Sequence, residues 1–254
     1  MKTRQPSPSD YRERTYRDQI DVPDLVSFEV VCQETNLMIQ AQRPLDAEAL
    51  SATLSCRGEI EAYIRQFPAF ATTLVPWPKT DFAPPIVRRM VDAARLAGVG
   101  PMAAVAGAIS EYVGRTLLCL SDQVVVENGG DLFVKTNGPL VAALFAGISP
   151  FSMKMGIRVE DTKNGLGICT SSGTVGHSLS CGRADAVCVV SESGALSDAA
   201  ATAIGNQIHS PADIDAVIRY GRQIDGVLGI IVVMETHVGA WGAVELVPLQ
   251  GKKG

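Results

Sequence analysis

A chain of 254 residues is long enough for one large domain or two small ones and can bury a substantial core. With 46% hydrophobic and 19% charged residues and a formal net charge of -5, it has the composition of an ordinary soluble protein, and the mild acidity argues against a nucleic-acid partner. Residues 1–20 hold no apolar signal-peptide core and no uninterrupted stretch reaches membrane-spanning length, so a cytoplasmic protein without a membrane span is expected.

Residues 1–22 are polar, carry two prolines and read as an extended arm, locally basic and aromatic at Tyr11–Arg17, ahead of a single domain over 23–254. Ser27–Ala41 holds two short apolar runs split by Gln33–Asn36, a β-hairpin pattern. From Asp46 to Gln66 the spacing of Leu50, Leu54, Ile60 and Ile64 predicts a helix with Gly58 as its weak point. Prolines rule out a regular element over 67–85, a stretch that carries Trp77 near Thr72 and Thr73 and reads either as a lid or as a packed connection. Pro84-Pro85 opens a helix with Ile86, Met90 and Leu96 on one face and Gly98 as its C-cap. A second helix begins near Pro101. Its small residues, Ala103–Ala108, let either a flat ligand or another backbone come close.

Val124–Val126 and Leu132–Val134 flank Asn128-Gly129-Gly130-Asp131, a tight hairpin turn. Strands are predicted at 140–148, 155–159 and 166–170, the last running into Ser171-Ser172-Gly173, and again at Ala184–Ser191. Ser197-Asp198 then opens an alanine-rich helix with Ser197 as N-cap. Asp198 and Thr202 share one face of it a turn apart. The pair offers oxygen ligands to a hard cation such as Mg²⁺, or else Asp198 complements the helix dipole and Thr202 does nothing special. A helix over 211–223 and two closing strands, 226–235 and 239–249, paired across Thr236-His237, complete an α+β pattern with a largely antiparallel sheet.

The six cysteines form no CxxC pair and read as reduced, small core residues; His177, Cys181 and Cys188 fit no standard zinc spacing. Glycine is common, at 24 residues, and aromatics are scarce, at 6%, which suits a protein that cradles a ligand with its backbone.

ERTYR (13–17), APPIVRRM (83–90), GVGPMAAVAGAISEYVG (98–114), VVVENGGDLFV (124–134) and the stretch Gly165–Asn206 resemble, in that order, the ApbE superfamily of FAD:protein FMN transferases. Closer still is its UPF0280 branch. The resemblance implies an ApbE-like, T-fold-like α+β domain in which these motifs surround FAD. Carried over, it assigns cofactor binding to Gly107, Ala108, Asn128, Gly129, Gly130, Asp131, Thr170, Ser171, Ser172 and Gly173. Asp198 and Thr202 fall on the side-chain Mg²⁺ ligands, with a backbone carbonyl near Ala108 or Ile109 as the third, and His177 falls near the family's histidine, which we read as acid or base. The implied activity is Mg²⁺-dependent transfer of FMN from FAD to a threonine or serine of an acceptor protein, or hydrolysis of FAD; the alternative is a binding protein for a nucleotide or pterin-like ring. Ser110 and Glu111 stand where the family has Lys and Gly, an extra serine lengthens the Thr170–Gly173 turn, and no Asp-Pro follows His177. These departures leave an altered ligand, an altered acceptor or binding without transfer open. The small-residue helices and the terminal arm make a homodimer the expected assembly.

Overall fold

The central strands are apolar along their whole length because both faces of the sheet they form are covered. In a computed structural model, which describes residues 22–173 and 182–249, the strands at 186–191 and 227–234 send alternate residues into two different hydrophobic clusters. Val187 and Val189 face one cluster while Ala186, Cys188 and Val190 face the other, and Ile230 and Val232 alternate in the same way with Ile231 and Val233. The arm up to residue 21, together with His177 and Cys181, lies outside the described residues.

In chain order the elements are β1 (Val26–Cys32), β2 (Thr35–Ala41), α1 (Asp46–Gln66), α2 (Pro85–Ala97), α3 (Val105–Leu117), β3 (Val124–Asn128), β4 (Asp131–Lys135), β5 (Leu140–Ala143) and β6 (Met155–Val159). There follow β7 (Leu166–Ser171), β8 (Ala186–Ser191), α4 (Gly194–Gly205), α5 (Ile214–Gly221), β9 (Val227–Met234), β10 (His237–Gly242) and β11 (Glu245–Pro248). An eight-stranded sheet runs β1-β2-β3-β4-β7-β8-β9-β10, and a three-stranded sheet runs β11-β6-β5. Every pairing is antiparallel, as the α+β reading expects. The helices cover one face of the large sheet and the small sheet packs on the other.

Several expectations need correction. On α1 the buried face is Ala49, Ala52, Thr53, Cys56, Ile60 and Tyr63, whereas Leu50 and Leu54 are 39% and 54% exposed. The helix lies close enough to its neighbours that small side chains fill the contact. On α2 Ile86 and Met90 are buried as expected, together with Val87, Val91 and Ala94, but Leu96 is 51% exposed. Gly98 closes α2 in the left-handed region, at φ 75°, as a C-cap glycine does. The strand expected over 140–148 stops at Ala143, after which the chain turns until β6. The last expected strand is broken at Gly242, whose φ of 86° lets the chain leave the large sheet so that β11 pairs with β6. Finally, α4 starts at Gly194 and not at Ser197. Its N-cap is Ser193, whose hydroxyl accepts from Leu196 N–H. Ser197 is instead buried, donating to Gly167 O at 3.0 Å and lying 2.9 Å from Ser191 Oγ.

Within the proline-rich connection Trp77 is packed, its Nε1–H donating to Tyr63 Oη at 3.2 Å and its ring set edge-on to Phe70. No single helix among the described residues is long and apolar enough to cross a membrane. The cysteines among them are free, and Cys56, Cys169 and Cys188 are buried as small core residues while Cys119 is exposed.

Candidate functional site

The hairpin between β3 and β4 turns on Gly129 and Gly130, at φ 65° and 101°. Two positive values in succession favour Asn, Asp or Gly at the first place and Gly at the second, where φ lies beyond the left-handed region other residues reach. Asn128 and Asp131 close the turn as a register pair, and Glu127 Oε1 accepts from Gly130 N–H at 2.7 Å. Because β4 pairs with β7 through Asp131 and Cys169, the turn lies beside Thr170 and Ser171 at the end of β7. Ser172 and Gly173 follow there, with Gly173 N–H donating to Ala184 O at 2.9 Å. Asn128 Nδ2 donates to Ala106 O at 3.2 Å and so ties the turn to the first turn of α3.

The small residues of α3 serve close packing. A Cβ on Gly107 would collide with the carbonyl of Gly194, and one on Gly194 would strike Gly107 in return. Gly167 of β7 presses on Gly194 from the sheet side. Glycines from α3, α4 and β7 therefore meet where the motifs converge. Asp198 lies at this crossing. Its Oδ2 accepts Gly107 N–H at 2.9 Å, and Ala106 N–H also bonds its carboxylate. Gly107 and Ala106 carry two of the free N–H groups at the start of α3, so Asp198, in the second turn of α4, caps a helix other than its own. Ala108 follows Gly107 on α3 and is 3% exposed. Thr202 lies one turn along α4 from Asp198, and both are half-buried.

Electrostatically the crossing is unusual. Burial, then the nearby Asp198 charge, pushes the Asp131 carboxyl well above the usual carboxylate range, and the charge of Glu127 adds to the effect against a hydrogen bond from the Cys169 thiol. Burial likewise pushes Asp198 up to about 7, against the two backbone N–H bonds that favour its charge. Among the described residues no ion pair reaches either carboxylate, and no group of three His, Cys, Asp or Glu side chains is placed to hold a metal. A divalent ion here would rest on Asp198 with neutral oxygens such as Thr202 Oγ1 and a carbonyl, and hard oxygen donors of this kind suit Mg²⁺.

Ser110 and Glu111 have structural partners. Ser110 Oγ donates to the carbonyls of Ala106 and Gly107, at 3.2 and 3.1 Å. Glu111, 2% exposed, accepts from Arg89 Nη1 at 2.8 Å, Arg115 Nε at 2.7 Å, Ser193 Oγ at 3.1 Å and Gly194 N–H at 2.9 Å.

A cavity of about 350 Å³ adjoins the site, bordered by Asn128 and Ala106. A larger groove of about 490 Å³ opens elsewhere, beside Leu166, Val190, Leu228 and Val244, and none of the residues assigned to cofactor or metal lines it. Arg57, which borders the smaller cavity, was not among the residues the sequence suggested. An arginine within a helix reads as a solvated charge, and only the fold shows it half-buried.

The family model described as AbpE bacteria matches residues 17–240. The UPF0280 protein of Methanococcus vannielii is 39% identical over 227 residues, spanning 87% of this chain and 92% of that protein. The UPF0280 protein of Methanosarcina acetivorans is 36% identical over 215 residues, spanning 84% of this chain and 85% of that protein. Among solved structures, the ApbE protein of Thermotoga maritima superposes with a TM-score of 0.50 over 87% of this chain and 96% of its own, at 13% identity, a likeness of fold. Matched over most of its length to the family and to these relatives, the chain belongs to the UPF0280 family, a branch of the ApbE superfamily.

Proposed function

We propose that the chain binds a flavin nucleotide at the crossing of α3 and α4 and breaks its pyrophosphate, as a Mg²⁺-dependent FMN transferase or FAD pyrophosphatase. The observation that carries this reading is the convergence of Asn128–Asp131, Thr170–Gly173, Gly107 and Asp198. Bound Mg²⁺ supplies charge to neutralise the phosphates, and Asp198, Thr202 and a carbonyl near Ala108 would hold it. The glycine turns at Gly129-Gly130 and Ser172-Gly173 let a nucleotide approach the backbone closely. Asp131, whose carboxyl is raised above the usual carboxylate range by burial and the nearby Asp198 charge, lies in the first of these turns. His177, outside the described residues, is the proposed acid or base. In the transfer reaction a threonine or serine hydroxyl of an acceptor protein gives up its proton and forms the new bond to the FMN phosphorus while AMP leaves. Water in its place yields FMN and AMP.

One observation favours a second reading, binding without transfer. Where the family has a lysine, Ser110 spends its hydroxyl on the carbonyls of its own helix, and Glu111 is held by two arginines. Incubation of the protein with FAD, with and without Mg²⁺, followed for bound flavin and for released FMN and AMP, separates the two. Mg²⁺-dependent product supports the enzyme, bound flavin without product supports the binding protein, and no bound flavin overturns both.

A further inference from the structure

The groove of about 490 Å³ lies on the face of the large sheet turned away from the helices, since Leu166 and Val190 of its floor enter the apolar cluster beneath the small sheet. It opens where the two sheets part, between the ends of β6 and β8 and the starts of β7, β9 and β11. Local sequence shapes one wall. Gly242, at φ 86°, turns the chain out of the large sheet, and Val244 then lies over Gly229, where a Cβ would come within 2.6 Å of its Cγ1. The rim is charged, and one sign prevails. Glu160 and Asp161 follow β6, Glu192 follows β8 and Glu245 opens β11, against one base, Arg158. Arg158 Nε donates to Glu160 Oε1 at 2.7 Å, and Arg115 reaches the Glu192 carbonyl, at 3.3 Å, rather than its carboxylate. Among the described residues no ion pair reaches Asp161, Glu192 or Glu245.

This charge repels a phosphate and calls for a cation. A metal ion does not fit, because the carboxylates stand on separate segments around an apolar floor, and among the described residues no three acidic, His or Cys side chains are placed to hold one. An organic cation fits, with an apolar body to cover the floor. One exposed ion pair contributes little, so binding needs several charges on one body, spaced by groups that leave water for Leu166, Val190 and Leu228. A volume of about 490 Å³ lies within the range of small-ligand pockets, which runs from roughly 300 to 1,000 Å³. We propose that the groove is a second binding site, for a linear aliphatic polyamine. Its methylene segments cover the floor, and its ammonium groups bond to Asp161, Glu192 and Glu245. The site lies across the large sheet from Asp198 and does not rest on the nucleotide reading.

Spermidine, with three ammonium groups, and butylamine, with one, are titrated calorimetrically at low salt into the wild type and three variants. Glu192→Gln/Glu245→Gln removes two rim charges, and Ala243→Trp fills the groove from an exposed position without entering the core. Asp46→Asn/Glu48→Gln removes equal charge from the exposed start of α1. Thermal unfolding verifies that each variant is folded. The expected result is saturable spermidine binding, weakened about tenfold by Glu192→Gln/Glu245→Gln and at least as much by Ala243→Trp. The α1 pair leaves it unchanged, and butylamine binds at least tenfold more weakly. No saturable binding of spermidine to the wild type overturns the proposal. Equal weakening by the α1 pair also overturns it, since attraction by net charge alone then explains the binding. If the end-blocked peptide Leu-Lys-Val-Lys-Leu binds tenfold more tightly than spermidine and responds to the same groove variants, the groove belongs to a partner protein and the polyamine assignment falls. Every arm omits FAD and Mg²⁺, so this inference and the functional reading fail separately.

Discussion

Asp198 and Glu111 cap each other's helices. Asp198, on α4, accepts N–H groups at the start of α3, and Glu111, on α3, accepts the Gly194 N–H at the start of α4. Each carboxylate lies against the positive end of the partner helix, where an anion is favoured. The two helices are therefore fixed in register by these reciprocal hydrogen bonds as well as by the Gly107–Gly194 contact. Replacing Glu111 with Ala strands the buried Gly194 N–H and leaves Arg89 and Arg115 to water. A loss of about 2–3 kcal/mol is expected from removing hydrogen bonds to a charged group, read by urea denaturation.

Asp198 is to be tested with two substitutions, because capping and metal binding separate between them. In Asp198→Asn the side-chain oxygen still accepts from Gly107, so stability holds or rises at neutral pH, while Mg²⁺-dependent FAD binding is lost. In Asp198→Ala the cap goes as well, at a cost of about 1–2 kcal/mol. Equal FAD affinity in wild type and Asp198→Asn would leave this residue a structural one.

The raised carboxyls make stability depend on pH in a defined direction. Between 3.8, the ordinary value, and about 7, Asp198 holds its proton in the fold while the unfolded chain has released it. The native state thus binds more protons, and stability must fall as pH rises through that window. Asp131 shifts the same way. Denaturation midpoints measured across the window should decline for the wild type and flatten for Asp198→Asn. Added Mg²⁺ should restore most stability at the alkaline end, where it no longer competes with the proton.

Gly107→Ala tests the crossing directly. The new methyl would collide with the Gly194 carbonyl and would lie 2.9 Å from Asp198 Cβ. Both are parts of packed helices that cannot swing aside, so α3 and α4 must separate. A destabilisation of about 3 kcal/mol is expected from overpacking of this kind, with weaker capping by Asp198. A thermal transition equal to that of the wild type would show that the crossing yields easily.

Gly58 gives the opposite case. It is exposed within α1, and a Cβ added there meets nothing within 4 Å. Gly58→Ala should stabilise the protein by about 1 kcal/mol through helix propensity alone, visible as a raised midpoint in urea. We have no structural account of why glycine stands beside Arg57.

The parts legible in the sequence are those written in local backbone chemistry. Gly129-Gly130 announced a turn because few other residues reach its dihedrals, Gly98 announced the end of α2, and the bounds of α1 follow from its composition. What escaped depends on distant neighbours. Ala49, Ala52, Thr53 and Cys56 are the packed face of α1, but small side chains look neutral until a close-packed partner is known, so Leu50 and Leu54 took their place in a reading by hydrophobic spacing. Ser193 caps α4 across Gly194-Ala195, a weak helical start that concealed it, while Ser197 reaches across to Gly167. The candidate residues that converge at the crossing could be named from the sequence because each lies in a glycine or hydroxyl motif. Arg57 could not, since an arginine within a helix reads as a solvated charge until the fold half-buries it.

The departure of the chain from the large sheet at Gly242 also bears on the order in which this molecule can be assembled. The outer edge of β6 finds its partner in β11, a strand that follows every other element of both sheets along the chain. Until β11 is in place Val244 and Leu246 are missing from the layer over Ile231 and Val233, and that apolar face stays partly bare. A chain extending only through β10 would have every helix and every strand of the large sheet, but it would present this uncovered face to chaperones or to other nascent chains. The closing strand acts as a clasp that ties the small sheet to the edge strand of the large one through Gly242.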